Sequence, residues 1–181
     1  MEGLILKKLK GAERREWIFS YLKEQNHPVT GGELAKLANV SRQVIVNDIT
    51  LLKAKNTPIV STSQGYILFP DKETNTYVQK HVACNHQSKD TEDELLTLVD
   101  AGVTVESVTV EHPVYGEITS SIMVSSRHDV EMFLKKVRET DASFLLELTF
   151  GIHLHLLSAP TEEILNRGIE AIRRKGYVLE D

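Results

Sequence analysis

The 181-residue sequence has few of the features that mark secreted or membrane proteins. It contains one cysteine, Cys84, which excludes a disulfide within the chain and fits a reducing compartment. No apolar run approaches the roughly 18–20 residues that a membrane-spanning helix requires. The opening apolar residues 4–6 are followed at once by lysines, which leaves no apolar core for a signal peptide. We therefore expect a cytoplasmic protein.

The sequence also lacks the common signatures of catalysis. It has no nucleophile elbow, no glycine-rich phosphate-binding loop and no dinucleotide-binding fingerprint. The rival interpretation is an enzyme, a small metal-dependent hydrolase. In that case Glu94 or His112 acts as general base beside a metal ion with an open coordination position. The absent motifs favour a binding protein, and we predict that the chain is not an enzyme.

Charge is unevenly distributed along the chain. The net charge is −5, yet residues 1–70 carry ten Lys and Arg against six Asp and Glu, whereas residues 71–181 carry eleven against twenty. Such asymmetry indicates that only the first part contacts a polyanion such as nucleic acid. Scatter in solvated surface charge explains the numbers equally well, so charge is supporting evidence only.

Three helices are predicted in the first seventy residues. Residues 13–25 have the apolar spacing of an amphipathic helix. Thr30 begins a second, short helix with Glu33 as its capping-box partner. Ser41 begins a third helix, whose apolar stripe recurs at helical spacing. Two short helices joined by a tight turn are typical of a helix-turn-helix.

The third helix presents a polar face that suits DNA. Arginine matches guanine edges, glutamine and asparagine match adenine, and a small apolar group contacts the thymine methyl. The candidate DNA-binding residues are Ser41, Arg42, Gln43, Val46, Asn47, Thr50 and Lys53. Residues 59–60 and 66–68 flank a polar turn and predict a hairpin, the wing. The alternative is a helical trio used only for protein contacts, but the order of helices, polar face and wing favours double-stranded DNA as partner.

A polar stretch without periodicity, residues 71–75, is predicted to link this domain to a second one at residues 76–181. Helices are predicted there at residues 91–101, 126–138 and 161–174. Strands are predicted at residues 77–85, 103–111, 114–124, 144–150, 152–157 and 177–179, with 144–150 and 152–157 as a pair. The fold class is therefore α+β: a winged helix-turn-helix at residues 1–70, followed by an α/β sandwich with a mixed sheet and helices packed on it.

Histidines outside the helices are the chemical feature of the second domain. His153 and His155 are two residues apart in a predicted strand, so both point to one face and can coordinate one divalent ion. By the same alternation His86 ends the more apolar face of its strand, whereas His81 lies on the wetter face and is expected at the surface. Cys84 shares the face of His86, and we expect it to be a small buried hydrophobe. Solvated or core histidines are the alternative to a metal site.

These residues resemble a known family. Residues 110–118 (Val-Glu-His-Pro-Val-Tyr-Gly-Glu-Ile), together with His86 and the Gly-Ile-His-Leu-His run at residues 151–155, resemble the three-histidine (3H) regulatory domain. Residues 41–46 (Ser-Arg-Gln-Val-Ile-Val) resemble the biotin-repressor-type winged helix that precedes it. The resemblance, over residues 15–179, implies a niacin-responsive transcriptional repressor of NAD synthesis or niacin uptake genes. It further implies a homodimer on operator DNA, with nicotinic acid or a related pyridine carboxylate as corepressor.

The resemblance also implies the site residues. The metal ligands correspond to His86, Glu94, His153 and His155. If His81 were the first ligand instead of His86, the match to the family would need an insertion. Three imidazoles and a carboxylate suit zinc, nickel, iron or manganese. The alternative for Glu94 is a capping box at the start of its helix.

Effector contacts are expected at His112 and Tyr115, in the His-Pro-x-Tyr-Gly elbow. The alternative for His112 is a turn residue at a strand end. A regulator that responds to the metal alone, without an organic effector, is the second candidate function.

Overall fold

The computed structural model describes residues 9–68 and 77–180, and the chain forms two compact units, Met1–Thr74 and Asn75–Asp181. The predicted linker, residues 71–75, lies outside the described residues and stays a prediction. The same holds for the predicted domain ends at residues 70 and 76.

The first unit is a helix-turn-helix followed by a hairpin. Its elements are α1 (Gly11–Glu24), α2 (Gly31–Leu37), α3 (Arg42–Ala54), β1 (Ile59–Thr62) and β2 (Gly65–Leu68). Thr30 and Glu33 form the predicted capping box of α2, and the Ser41 hydroxyl accepts a hydrogen bond from the backbone N–H of Val44 at the start of α3. Strands β1 and β2 pair antiparallel, which confirms the predicted wing.

An apolar core and a buried ion pair hold α3 against α1. The buried apolar residues of the two helices are Ile18, Leu22, Ile45, Ile49 and Leu52. Asp48 of α3 is only 2% exposed, and a buried carboxylate is costly unless it is paired. Its two oxygens accept hydrogen bonds from Arg14 Nε at 2.5 Å and Arg15 Nη1 at 3.2 Å, both on α1. These contacts leave the polar face of α3 exposed on the outside of the unit.

The second unit is a four-stranded sheet with three helices packed against it, which confirms the α+β class. Its elements are β3 (Val78–Asn85), α4 (Thr91–Asp100), β4 (Thr104–His112), β5 (Gly116–Val124), α5 (Arg127–Thr140), β6 (Ile152–Ala159) and α6 (Glu162–Arg174). The strand order is β3-β6-β4-β5. The core contains apolar residues of all four strands and all three helices.

The sheet differs from the predicted mixed sheet, because all three of its strand pairings are antiparallel. Strands β3 and β4 run in the same direction, since α4 carries the chain back between them. They do not pair, because β6 lies between them in the opposite direction. One connection therefore has the form that usually yields a parallel pair, while every hydrogen-bonded neighbour is antiparallel.

The predicted strand at residues 144–150 is wrong. This segment contains a 3-10 helix, Leu145–Thr149. Its predicted partner β6 already has β3 on one side and β4 on the other, so β6 has no free edge. Phe150 (φ 55°) and Gly151 (φ 103°) then turn the chain into β6 through left-handed conformations.

The last predicted strand, residues 177–179, is reduced to a single bridge on the free edge of β3. Val178 pairs with Cys84, and the backbone N–H of Asn85 donates to the carbonyl of Tyr177 at 2.8 Å. No helix within residues 9–68 and 77–180 combines the length and apolar character of a membrane span.

We predict that Asp48→Ala destabilises the first unit by about 1.5–3 kcal/mol, the usual worth of hydrogen bonds to charged groups. The single tryptophan, Trp17, packs against the core of this unit, so its fluorescence during urea denaturation reports this unit. Glu16→Ala, at an exposed acidic position of the same helix bundle, is the control and should have little effect. Equal midpoints for the two variants would show that the ion pair does not stabilise α3.

Candidate metal centre

Four predicted site residues from three separate segments meet in the second unit. His86 follows β3, Glu94 lies in the first turn of α4, and His153 and His155 lie on β6. Glu94 Oε2 is 2.9 Å from His86 Nε2, 3.2 Å from His155 Nε2 and 3.7 Å from His153 Nε2. The Nε2 atoms of His153 and His155 are 3.2 Å apart. The structure therefore brings together all four residues around one point.

Backbone carbonyls orient the three imidazole rings. Nδ1 of His86, His153 and His155 lies 2.9, 2.8 and 3.1 Å from the carbonyl oxygens of Gln87, Gly151 and Ser107, respectively. A carbonyl oxygen only accepts, so each Nδ1 carries the proton and, in the neutral ring, each Nε2 directs a lone pair toward Glu94. Metal-binding histidines are usually held in this way by their second nitrogen.

The cluster is buried and leaves polar atoms unsatisfied. Glu94 is 0% exposed, and His86, His153 and His155 are 8%, 3% and 3% exposed. Within the part of the chain that the structure describes, Glu94 Oε1 and His86 Nε2 have no aligned hydrogen-bond partner. Three convergent nitrogen lone pairs and a carboxylate with a spare oxygen are a donor set that fits a divalent transition metal.

Glu94 does not take the alternative role of capping its own helix. The N-cap residue of α4 is Asp90, without a side-chain cap hydrogen bond, and the Thr91 hydroxyl is buried without a partner among the described residues. The carboxylate of Glu94 is turned to the imidazoles instead. The first turn of α4 still places it at the positive end of the helix dipole, which favours the ionised form.

Charge coupling within the cluster is strong. Burial by itself raises the pKa of Glu94, but His155, His153 and His86 outweigh burial and hold this pKa well below its usual value. Burial lowers the pKa of His86 and of His155, but the Glu94 carboxylate outweighs it and leaves the pKa of each ring above its usual value. The buried carboxylate thus requires positive charge beside it, either as protons on the imidazoles or as a cation.

Cys84 is a member of the cluster that the sequence analysis did not assign to the site. It is fully buried, as predicted, and lies opposite His153 in the pairing of β3 with β6. Its Sγ, a carboxylate oxygen of Glu94 and a ring nitrogen of His153 lie within 4.8 Å of one another. Burial, and then the neighbouring Glu94, raise the pKa of the Cys84 thiol. The shared face with His86 was the only signal in the sequence.

The C-terminal segment covers the cluster on the side of His86. The ring of Tyr177 lies 5.1 Å from that of His86, and its hydroxyl donates a hydrogen bond of 2.7 Å to Asp93. This bond to Asp93 raises the pKa of Tyr177 to about 12. Tyr177 therefore stays a neutral donor and holds the segment in place.

A cavity of about 220 Å³ adjoins the cluster. Glu94, His153 and His155 form part of its wall. The remaining wall is mostly apolar and includes Val108, Ile122, Phe133, Val137, Phe144 and Leu146. An apolar pocket with a few convergent polar groups is the usual form of a small-molecule site.

His112 and Tyr115 are not among the residues that line this cavity. They lie at the β4–β5 hairpin, with ring centroids 5.0 Å apart, and Tyr115 is 77% exposed. His112 Nδ1 accepts hydrogen bonds from the backbone N–H groups of Val114 and Tyr115 at 3.2 and 3.3 Å, as a turn residue does. Their role as effector contacts stays a prediction.

The predicted DNA-binding residues lie on the outer face of α3 and at its start. All are exposed except Val46, which is partly buried: Ser41, Arg42, Gln43, Val46, Asn47, Thr50 and Lys53. Lys53 Nζ donates a hydrogen bond of 2.7 Å to the hydroxyl of Ser61 on β1, which ties the end of α3 to the wing.

We predict that the metal-free second unit loses stability as the pH rises above 6.5, the ordinary histidine value. The raised pKa values of His86 and His155 stabilise the fold below pH 6.5, and this contribution is lost as the pH rises through the folded-state values. The contribution of Glu94 is present above its ordinary value of 4.5 and is lost only in acid.

In Glu94→Gln the carboxylate that raises the imidazole pKa values is gone, and burial then lowers them. The stability of this variant should therefore increase, or stay level, over the same rise in pH. Urea denaturation followed by far-ultraviolet circular dichroism in the presence of a chelator measures this. Glu92→Gln, an exposed change in the same helical turn, should behave as wild type. A parallel pH dependence in Glu94→Gln would contradict the coupling.

Comparison with known proteins agrees with this architecture. A family model described as an HTH domain matches residues 14–67, and one described as a 3H domain matches residues 79–181. The chain is 49% identical over 175 residues to "Transcription repressor NadR" of Bacillus subtilis, across 96% of this chain and 97% of that protein. It is 39% identical over 169 residues to "Probable transcription repressor NiaR" of Thermotoga maritima, across 93% and 95%. The chain belongs to the family of transcription repressors that join a helix-turn-helix DNA-binding domain to a 3H domain, and it is not an enzyme.

Proposed function

We propose that the chain represses genes of NAD biosynthesis or niacin uptake, in the cytoplasm, as a homodimer on operator DNA. Its signal is nicotinic acid or a related pyridine carboxylate, sensed at a metal centre in the second unit. The observation that carries this proposal is the buried cluster of three imidazoles and Glu94 in the wall of a small apolar cavity. The names of the two repressors, NadR and NiaR, agree with the niacin-responsive family that the sequence resembles.

The metal would be held by His86, Glu94, His153 and His155. Zinc, nickel, iron and manganese are the ions that this donor set admits. When bound, such an ion supplies a Lewis acid that attracts an anionic or nitrogen ligand. Since Glu94, His153 and His155 also border the cavity, a molecule in the cavity would lie beside the ion.

The cavity suits a single aromatic ring with one charged group. Its volume of about 220 Å³ is below the ~300–1,000 Å³ that is common for drug-sized ligands. Phe133 and Phe144, whose ring centroids are 6.1 Å apart, provide an aromatic wall. The carboxylate or ring nitrogen of a pyridine carboxylate would then face the imidazole side, and the ring carbons would contact the apolar side.

The first unit would bind DNA through α3 in the major groove, which is how a helix-turn-helix places its second helix. Exposed Arg42, Gln43 and Asn47 are the residues best suited to base edges. Ser41, Val46, Thr50 and Lys53 complete the face. A homodimer would present two such helices to half-sites one helical turn apart.

Effector and DNA binding would be linked by a coupling free energy, which must act in both directions. A corepressor binds the DNA-competent state more tightly and therefore raises operator affinity. A second candidate function is a regulator that responds to the metal alone, and the same buried donor set supports it.

We predict that nicotinic acid raises the operator affinity of the metal-loaded protein roughly 5–150-fold, the usual range of allosteric coupling. Fluorescence anisotropy of labelled operator DNA, with and without nicotinic acid, measures the effect. Ala142→Leu adds bulk at an exposed residue of the cavity wall, so it should abolish the response while the metal content stays unchanged. Ala142→Ser, a change of one atom, is the matched control and should retain the response.

The two candidate functions give opposite results in this assay. If nicotinic acid has no effect on the metal-loaded protein, while chelation alone changes operator affinity, the chain is a metal-responsive regulator. If neither treatment changes operator affinity, both candidates are wrong.

A further inference from the structure

The thiol of Cys84 faces the same buried centre as the four proposed ligands. In the register of the sheet Cys84 lies directly opposite His153, and it lies two residues before His86, which directly follows β3. Its Sγ lies within 4.8 Å of both a Glu94 carboxylate oxygen and a His153 ring nitrogen. The side chain is fully buried, so no water competes for the sulfur.

A second observation points to a missing positive partner at this place. Glu94 is 0% exposed, and its Oε1 atom has no hydrogen-bond partner among the described residues, whereas Oε2 contacts all three imidazoles. Burying an anionic oxygen without a partner is costly. Sγ of Cys84 lies 3.8 Å from the carbonyl oxygen of Val82, and the thiol also interacts with the Glu94 carboxylate. A cation between the carboxylate and the sulfur would replace the thiol proton and compensate the charge of Glu94.

We propose that Cys84 is a fifth ligand of the metal, bound through its thiolate sulfur. This inference rests on the proposed metal centre, because only a cation gives the buried thiol a reason to ionise. On coordination the S–H bond is replaced by an S–metal bond and the proton is released to the buffer, with no change in the oxidation state of either partner. A divalent ion reverses the local electrostatics, and a coordinating thiol is deprotonated outright.

The thiolate narrows the choice of metal. Thiolate ligands favour zinc and related ions such as cobalt and nickel, whereas manganese prefers carboxylate, carbonyl and water oxygens. Three imidazoles, one carboxylate and one thiolate form a site that is selective against manganese. Cys84→Ser, which replaces the sulfur with a hard oxygen donor, should weaken this discrimination.

The test uses the full chain, stripped of metal and titrated with Co²⁺. A cobalt–thiolate bond gives intense charge-transfer absorption in the near ultraviolet, which imidazole and carboxylate ligands do not give. We expect this band to grow to one equivalent of Co²⁺ in wild type and to be absent in Cys84→Ser and Cys84→Ala. Both variants should still bind Co²⁺, at least roughly 10-fold more weakly. Competition between Zn²⁺ and Mn²⁺ should show a smaller preference for Zn²⁺ in Cys84→Ser.

The outcomes separate the two proposals. Bound Co²⁺ without the band in wild type overturns the role of Cys84 and leaves the metal centre standing. No Co²⁺ binding by wild type overturns the metal centre, and the role of Cys84 falls with it. If the Cys84 variants fail to fold, the wild-type spectrum still decides, because the chain has one cysteine and any thiolate band comes from it.

Discussion

The buried charge of Glu94 is the constraint on which the second unit depends. Burying a carboxylate away from water costs several kcal/mol unless positive charge and hydrogen-bond donors compensate the lost hydration. Its contacts with His86, His153 and His155 supply that compensation only when protons or a metal ion occupy the cluster. The stability of this unit therefore depends on protonation or cation binding at the cluster, which supports the proposed role as a sensor.

Backbone geometry places the imidazoles around the Glu94 carboxylate. Strand β6 is an interior strand of the sheet. Side chains alternate along it, which places His153 and His155 side by side on the face that packs against the helices. Gly151 has φ 103°, and a Cβ atom there would lie 2.5 Å from the carbonyl oxygen of His86. The same glycine accepts from the Nδ1 of His153. This glycine thus lets two segments of the proposed metal site approach each other.

Local signals in the sequence predicted most of the helices. The caps at Thr30 and Ser41 each make the expected hydrogen bond to the following turn. Strand alternation likewise placed His86 on the buried side and His81 on the exposed side. These predictions succeeded because capping and alternation depend on neighbours within a few residues.

The errors arose where long-range pairing decides the outcome. The apolar run at residues 144–150 predicts a strand. Because β6 is paired on both sides, residues 144–150 have no free edge of β6 to pair with. The approach of Cys84 to His153 follows from strand register, which the sequence does not specify. The sequence placed His86, Glu94, His153 and His155 in one site through a family resemblance, since their spacing alone does not bring α4 to β6.

We propose that His86, Glu94, His153 and His155 hold one divalent ion for each chain. Isothermal titration of Zn²⁺ into metal-stripped protein tests it most directly, with the double variant His153→Ala/His155→Ala beside wild type and His81→Ala as control for an exposed histidine. We expect one tight site per chain in wild type and in His81→Ala, and loss of tight binding in the double variant. Equal Zn²⁺ binding by the double variant, or no binding by wild type, would contradict it.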